Sequence, residues 1–210
     1  MSARLTYRAE LISRIITVLP AASFNCGQTL TDARDLNTYP TVSLGTQCWI
    51  TTNLNYGSSI QAFSHQTDNC LNEKYCYNND AQNCALYGGL YQWDELMGYQ
   101  PTPGSQGLCM AGWHVPTQAD WLVLFSYYQG QGLAGKPLQD ANAAGFHATE
   151  SGLIYSNQVW AFNGLATIFW SSTPSGTSRV VSHGMNLINF SVSDYPSLRS
   201  NALPVRCVED

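Results

Sequence analysis

Four histidines and seven cysteines are the side chains of this sequence best suited to metal binding or nucleophilic catalysis. No two histidines have the H-x-x-x-H or H-E-x-x-H spacing, and no two cysteines have the C-x-x-C spacing of zinc sites. A cysteine beside a histidine could form a thiol nucleophile, but no spacing singles out one such pair. We therefore predict neither a metal centre nor an enzyme, because no convergent set of ionisable groups is apparent.

Two further motifs suggest chemistry that their context argues against. Residues 130–135 match G-x-G-x-x-G, but dinucleotide binding needs a strand before the glycines and a helix N-terminus after them. Here a helix is predicted before the motif and Pro137 follows it, so we interpret the stretch as a flexible turn. Asp94 and Glu95 are adjacent, so on a helix they point about 100° apart and make a poor acid–base pair.

No cofactor is predicted, although Asn78, Asn79 and Asp80 carry oxygen atoms that could bind a structural calcium ion. An Asx-rich turn is the alternative explanation of these three residues. Asn189-Phe190-Ser191 is an N-glycosylation sequon, a pattern that also arises by chance.

The composition indicates a folded chain with an aromatic-rich core and few charges. Charged residues make up 11% of the sequence and aromatic residues 12%, whereas disordered chains carry more charge and fewer aromatics. The net charge of −5 argues against nucleic acid as a partner. No apolar stretch is long enough to span a membrane.

The cysteine spacing favours disulfides over zinc and therefore an oxidising, extracellular compartment. The odd number of cysteines leaves at least one thiol free or bonded to another chain. A reduced protein with buried cysteines is the alternative.

Residues 1–34 are predicted to form a helical extension. Apolar residues recur at helical spacing between residues 5 and 19, so one face could pack on the domain or on a neighbouring subunit and produce an oligomer. A signal peptide is the alternative, because Arg4 and Arg8 precede the apolar residues 11–22.

Two short helices and a series of short strands would position the polar side chains. Residues 39–45 and 47–50 indicate a hairpin, and residues 51–84 a long polar loop. One helix begins near Asp94, and Thr117 caps the other, where Asp120 completes a capping box. The later strand candidates are residues 146–148, 152–155, 166–170, 180–187, 190–192 and 204–208. This order indicates an α+β fold with irregular antiparallel strands.

The C-terminal region carries the strongest functional signal. β-Prone stretches at residues 169–173 and 203–208 enclose a Ser- and Asn-rich segment with scattered large side chains. Stiff anchors around an irregular polar segment are typical of a scaffold that presents a recognition surface. A solvated loop is the alternative. The predicted ligand-binding residues, within residues 178–201, are Ser178, Arg179, His183, Asn186, Asn189, Ser193, Asp194, Tyr195, Ser197 and Arg199.

In this interpretation the anchors are buried and the contact residues are exposed. We expect Trp170 and Cys207 to lie in the core. We expect Arg179, Tyr195 and Arg199 to be exposed together on one face. They are suited to ligand contacts there, because aromatic and Arg side chains carry most of the binding energy of interfaces.

Five blocks of the sequence occur in an order typical of one family. They are Thr41-Val42-Ser43-Leu44-Gly45 with Cys48-Trp49-Ile50, Tyr75-Cys76-Tyr77-Asn78-Asn79-Asp80 with Asn83-Cys84, Gly112-Trp113-His114-Val115-Pro116 with Asp120-Trp121, Phe169-Trp170-Ser171-Ser172, and Val205-Arg206-Cys207-Val208. Together they resemble the Fibrobacter succinogenes major paralogous domain. The resemblance covers residues 35–210 and implies a C-type-lectin-like domain of a secreted or surface protein, distantly related to the formylglycine-generating oxidases.

The resemblance also guides the disulfide and activity predictions. We expect Cys109 to bond Cys207 and Cys76 to bond Cys84. Cys26, Cys48 and Cys70 share the remaining bond, for which we favour Cys48 with Cys70. The Glu-Pro-Asn and Trp-Asn-Asp motifs of calcium-dependent lectins are absent, and the paired catalytic cysteines of the oxidases have no clear counterpart.

Retroelement-diversified proteins often use a C-type-lectin-like fold, with the variable segment just before the last strand. Adenine randomisation of AAY codons cannot produce Lys, Glu, Gln, Trp or Met. Residues 174–203 lack the first four, although Met185 is present. The segment is therefore compatible with such diversification.

The leading hypothesis is a non-enzymatic ligand-binding or adhesion module on a cell surface or virus particle. It would recognise a protein or glycan on another cell or particle through a hypervariable C-terminal surface. The rival hypotheses are an enzyme related to the formylglycine-generating oxidases and a structural, pilus-like subunit that assembles through its N-terminal helix.

Overall fold

The computed structural model describes residues 24–140, 145–186 and 188–210. The helix or signal peptide predicted within residues 1–23 lies outside these ranges. The described end of the predicted extension is not helical, because strand β1 (Thr29–Thr31) pairs antiparallel with strand β2 (Thr38–Leu44). Residues 29–31 therefore belong to the folded unit.

Most of the regular structure is β-strand, with 34% of the described residues in strands and 18% in helices. The described strands form four sheets, with the orders β1-β2-β3-β14-β7, β10-β11-β12, β6-β13-β8-β9 and β4-β5. Only the β4–β5 pairing is parallel among the described strands. The remaining bounds are β3 (Gln47–Ile50), β4 (Ser58–Ile60), β5 (Glu73–Tyr75), β6 (Tyr91–Gln92), β7 (Trp113–His114), β8 (Ser151–Ile154), β9 (Trp160–Asn163), β10 (Ala166–Pro174), β11 (Arg179–Asn186), β12 (Val192–Leu198), β13 (Ala202–Leu203) and β14 (Val208–Glu209).

The described ranges contain four α-helices, so the prediction of two short helices is wrong in number. The two predicted helices are present as α2 (Trp93–Leu96) and α3 (Gln118–Tyr127). Helix α1 (Ala81–Tyr87) begins inside the stretch 51–84 that was predicted as loop, after a 3-10 turn at Tyr77–Asn79. Helix α4 (Gln131–Gln139) occupies the glycine-rich motif.

The predicted capping box of α3 is confirmed. The backbone N–H of Asp120 donates to Thr117 Oγ1 at 3.2 Å, and the backbone N–H of Thr117 donates to Asp120 Oδ2 at 2.8 Å. The buried face of the helix carries Trp121, Leu124 and Phe125. Local capping and apolar spacing therefore sufficed to predict this element.

The glycine-rich motif forms α4 because of tertiary packing. A Cβ atom at Gly135 would collide with the carbonyl of Phe190, so only glycine lets the helix lie against this part of the chain. Ala134 and Leu138 are fully buried in the same helix. Because a helix and not a strand precedes the motif, it lacks the geometry for dinucleotide binding.

The β2–β3 hairpin is confirmed, with Val42 opposite Trp49 and a turn at Gly45, whose φ is 64°. Of the later strand candidates, residues 146–148 form no strand. In place of the strand predicted at residues 190–192, strand β12 begins at Val192 and continues to Leu198. Of the strand predicted at residues 204–208, only Val208 lies in β14.

Three disulfides hold the domain together, and two of them are the predicted Cys109–Cys207 and Cys76–Cys84 bonds. The predicted Cys48–Cys70 bond is wrong. Cys48 bonds Cys26 instead, with a Cα–Cα distance of 5.8 Å. The β1–β2–β3 order brings Cys26, which lies shortly before β1, beside β3. Cys70 is exposed and has no disulfide partner.

The core lies between the sheets and α3 and is rich in tryptophan. Trp170 and Cys207 are fully buried, as predicted. Arg206 is also fully buried, and its guanidinium donates to Asn53 Oδ1 at 2.6 Å and to the carbonyls of Phe146 and His147 at 2.7 and 2.6 Å. None of the helices in the described ranges has the length and hydropathy needed to cross a bilayer.

Candidate binding groove

Strands β10, β11 and β12 carry the predicted recognition segment, and their register decides which side chains face outwards. Phe169, His183 and Asp194 lie directly opposite one another across the three strands. Because side chains alternate between the two faces of a sheet, these three share one face. Phe169 stacks on Trp121 of α3 at 5.6 Å, so this face is turned towards the core.

The opposite face of the sheet forms one wall of an open, apolar groove, and the β8–β9 hairpin forms the other. The groove has a volume of about 760 Å³, which is within the range of ligand-binding sites. The sheet wall contains Ile168, Gly184, Asn186 and Tyr195, and the hairpin wall contains Leu153, Tyr155 and Phe162. The rim includes Leu165 and Ile188, which are 56% and 82% exposed. A contiguous apolar surface of this kind is typical of an interaction site.

Tyr195 is the most prominent of the predicted contact residues in the groove. Its side chain is 47% exposed. A Cβ atom at Gly184, on the neighbouring strand, would lie 2.9 Å from Tyr195 Cδ2. The tyrosine ring therefore lies over the bare backbone of Gly184, which fixes one side of the ring while the other remains accessible.

Three other predicted residues line the groove and differ in how far their side chains are exposed. Arg179 is exposed, and its Nη1 donates to the carbonyl of Pro196 at 2.6 Å. Asn186 is partly buried. Ser197 is 9% exposed, and its hydroxyl lies 2.6 Å from that of Ser182, so Ser197 shapes the groove more than it contacts a ligand.

His183 faces the core, contrary to its prediction as a ligand contact. Its ring is fully buried, with its centroid 5.2 Å from Trp121 and 5.3 Å from Phe125. Burial lowers the pKa of His183, although the neighbouring Asp194 carboxylate opposes that shift. The neutral ring then donates from Nδ1 to Asp194 Oδ1 at 2.9 Å. The sequence did not show the register of strand β11, which decides the face on which each of its side chains lies.

Arg199 lies in a separate, polar cleft and not beside Tyr195, so the predicted common face does not include it. Its guanidinium stacks on Trp93 at 4.2 Å and donates to Asp94 Oδ1 at 3.3 Å. The cleft has a volume of about 520 Å³ and also contains Ser178. These contacts with Trp93 and Asp94 account for the partial burial of Arg199.

The other predicted residues lie near the groove without lining it. Asn189 is exposed in the connection between β11 and β12, and Ser193 is partly buried opposite Gly184. Asp194 also accepts a 2.6 Å hydrogen bond from Gln131 Nε2 of α4. Asp194 therefore tethers α4 and His183 to the edge strand β12.

The hairpin wall was missed by sequence reasoning. Tyr155 and Phe162 are 38% and 41% exposed, and their rings form a T-shaped pair with centroids 6.3 Å apart. In the sequence, the turn between β8 and β9 lies between these two residues. Its residues gave only a weak turn signal, and strand β9 was not predicted. The clustering of apolar residues between Tyr155 and Leu165 is the signal that could have indicated this wall.

Two of the candidate calcium ligands accept hydrogen bonds from the backbone. Asn79 Oδ1 accepts from the N–H of Ala62, and Asp80 Oδ1 accepts from the N–H of Gln82 at the start of α1, both at 2.9 Å. In the described ranges no three His, Cys, Asp or Glu side chains are grouped so that they could hold a metal ion.

A family model described as the Fibrobacter succinogenes major domain matches residues 42–209. No curated protein and no solved structure shows significant similarity to the chain. The matched residues include every strand that lines the groove.

Proposed function

We propose that this chain, which belongs to the Fibrobacter succinogenes major domain family, is a non-enzymatic binding module that recognises a protein or glycan through the apolar groove. The groove itself is the observation that carries the proposal. Tyr155, Phe162 and Tyr195 expose aromatic surface that the fold does not bury. Rigid aromatic side chains around a concavity are the usual source of interface energy.

The three disulfides are typical of a protein that folds in an oxidising compartment, as secreted and surface proteins do. We propose the finer assignment that the module is displayed on a cell surface or virus particle. There the groove would meet ligands carried by another cell or particle.

We further propose a C-type-lectin-like fold with a diversified C-terminal segment. Small antiparallel sheets and the Cys109–Cys207 bond, which ties the middle of the domain to its end, support the fold assignment. Arg179 and Tyr195 are exposed, whereas the strands that carry them rest on a buried core. Substitutions at these two positions would therefore leave the fold intact, which supports the proposed diversification. Sequencing the flanking DNA tests diversification, which requires a near-identical repeat that differs at adenines, beside a reverse transcriptase.

The two rival functions make different predictions. Six of the seven cysteines are in disulfides, which leaves Cys70 as the one thiol for oxidase-like chemistry. Turnover of a cysteine-containing peptide that is lost in Cys70→Ser would establish an enzyme. A structural subunit would lose its oligomeric state when residues 1–25 are deleted, which light scattering can measure.

The direct test of the proposed function is to probe arrays of glycans and of extracellular proteins with the purified chain. Tyr195→Ser is probed in parallel, together with Tyr127→Ser, which changes a 54% exposed tyrosine on α3, outside the groove. We expect specific binding that Tyr195→Ser weakens and Tyr127→Ser preserves. Binding that both variants retain would contradict the role of the groove.

A further inference from the structure

The groove is rich in hydrogen-bond donors, because three asparagines hold their oxygen atoms in fixed internal bonds. Asn201 Oδ1 accepts from the N–H of Ser156 at 2.9 Å, and Asn157 Oδ1 accepts from that of Val159 at 3.3 Å. Asn186 Oδ1 accepts from the N–H of Ile188 at 2.7 Å. Only the oxygen of an amide accepts from a backbone N–H, so the orientation of each side chain is determined.

These bonds leave the amide nitrogens available. Within the described part of the chain, Nδ2 of Asn157, Asn186 and Asn201 donates no hydrogen bond. All three residues line the groove, Asn157 and Asn201 towards the hairpin and Asn186 on the sheet wall. A ligand in the groove therefore meets amide donors from both sides.

The charge in the groove is of one sign, positive. Arg179 is the only charged residue among the described residues that line it. Arg34 and Arg199 each form an ion pair with an aspartate, whereas none of the ion pairs between described residues includes Arg179. In a chain of net charge −5, an exposed arginine beside apolar side chains, without an ion-pair partner among the described residues, is complementary to an anionic ligand.

We propose that the groove binds an extended segment of a partner protein that carries a carboxylate next to apolar side chains. The carboxylate would pair with Arg179, the backbone carbonyls would accept from the asparagine amides, and the apolar side chains would contact Tyr195 and Phe162. This inference rests on the proposed function and specifies its ligand.

The same features favour a peptide over a glycan or a lipid. Sugar hydroxyl groups need acceptors as well as donors, and no carboxylate is present among the described lining residues. An alkyl chain would leave the asparagine donors without partners, which costs free energy on desolvation. A peptide backbone presents a regular row of carbonyl acceptors and satisfies both requirements.

A displayed library of random linear peptides, selected on the immobilised full chain, tests the inference. We expect the selected peptides to share an acidic residue beside apolar residues. Arg179→Gln should weaken their binding about tenfold or more, as loss of a charge-assisted hydrogen bond predicts. Lys136→Gln is the matched control, because it removes one exposed positive charge from α4, outside the groove.

A charge reversal makes the test independent of folding. Arg179→Glu should abolish binding of an acidic peptide and restore it for the same peptide with lysine in place of the acidic residue. Failure to select peptides, or selection of peptides whose binding Arg179→Gln leaves unchanged, would overturn the inference. If a glycan or a fatty acid binds instead and Tyr195→Ser weakens that binding, the peptide inference fails while the groove remains a binding site. If no ligand of any class depends on the groove, the proposed function fails as well.

Discussion

Replacing Trp170 or Tyr195 with alanine separates scaffold from recognition surface. Trp170 is fully buried, and its indole Nε1 donates to the carbonyl of Tyr91 at 2.7 Å. Truncation to alanine leaves a large cavity, which costs about 3–5 kcal/mol, and it leaves that carbonyl without a partner, which adds about 1 kcal/mol. Tyr195 is 47% exposed and loses mainly its contact with Gly184, which costs up to about 1 kcal/mol.

These free energies predict clearly different melting temperatures. In a domain of this size, each kcal/mol lowers the melting temperature by about 2–4 °C. Trp170→Ala should therefore melt roughly 8–24 °C below the wild type, and Tyr195→Ala within about 4 °C of it. Thermal unfolding followed by circular dichroism, under non-reducing conditions, measures both. If Tyr195→Ala unfolds the domain while Trp170→Ala is tolerated, the assignments of scaffold and surface are reversed and the binding interpretation fails.

Three further predictions concern the thiol, the pH dependence and the groove. In the native chain, iodoacetamide should label Cys70 alone; labelling of any other cysteine would contradict the disulfide assignments. The hydrogen bond that His114 donates to the Asp120 carboxylate, aided by a second that it donates to Asp210, raises the pKa of His114 above 6.5. The contribution of these bonds to stability is therefore fully present below pH 6.5 and is lost as the pH rises through the raised pKa. The wild type should thus exceed His114→Gln in melting temperature most at mildly acidic pH, and a difference that grows with pH would refute this. Gly184→Ala should displace the ring above it and weaken groove binding several-fold at nearly unchanged melting temperature; unaltered binding would show that the ring position does not matter.

Features with local causes could be predicted from the sequence. Thr117 and Asp120 predicted the start of α3 because a capping box involves only residues three apart. Gly45 between β-prone stretches predicted the β2–β3 turn for the same reason. The burial of Trp170 followed from its apolar neighbours along the strand.

Features that depend on distant contacts could not be predicted in this way. Helix α4 was missed because its glycines and Pro137 disfavour helix locally, and only packing on the Phe190 carbonyl explains Gly135. His183 was assigned to the surface because a one-residue change of register exchanges the two faces of a strand. Cys26 was not chosen as the partner of Cys48 because that bond depends on the strand order in the sheet.

The same limit applies to the groove. Arg179, Asn186 and Tyr195 could be nominated from the recognition segment, since they lie on the strands that the anchors enclose. The opposite wall comes from the β8–β9 hairpin, whose position beside β10 is a tertiary contact. Half of the candidate site is therefore visible only in the folded chain.

Hydrogen–deuterium exchange with a ligand identified on the arrays tests the central claim most directly. Ligand in the groove should slow exchange at the amides of β8, β9, β11 and β12 and leave α1 and the β2–β3 hairpin unchanged. Protection confined to the polar cleft around Arg199, or to residues remote from the sheet formed by β10, β11 and β12, would contradict the proposal that this groove is the binding site.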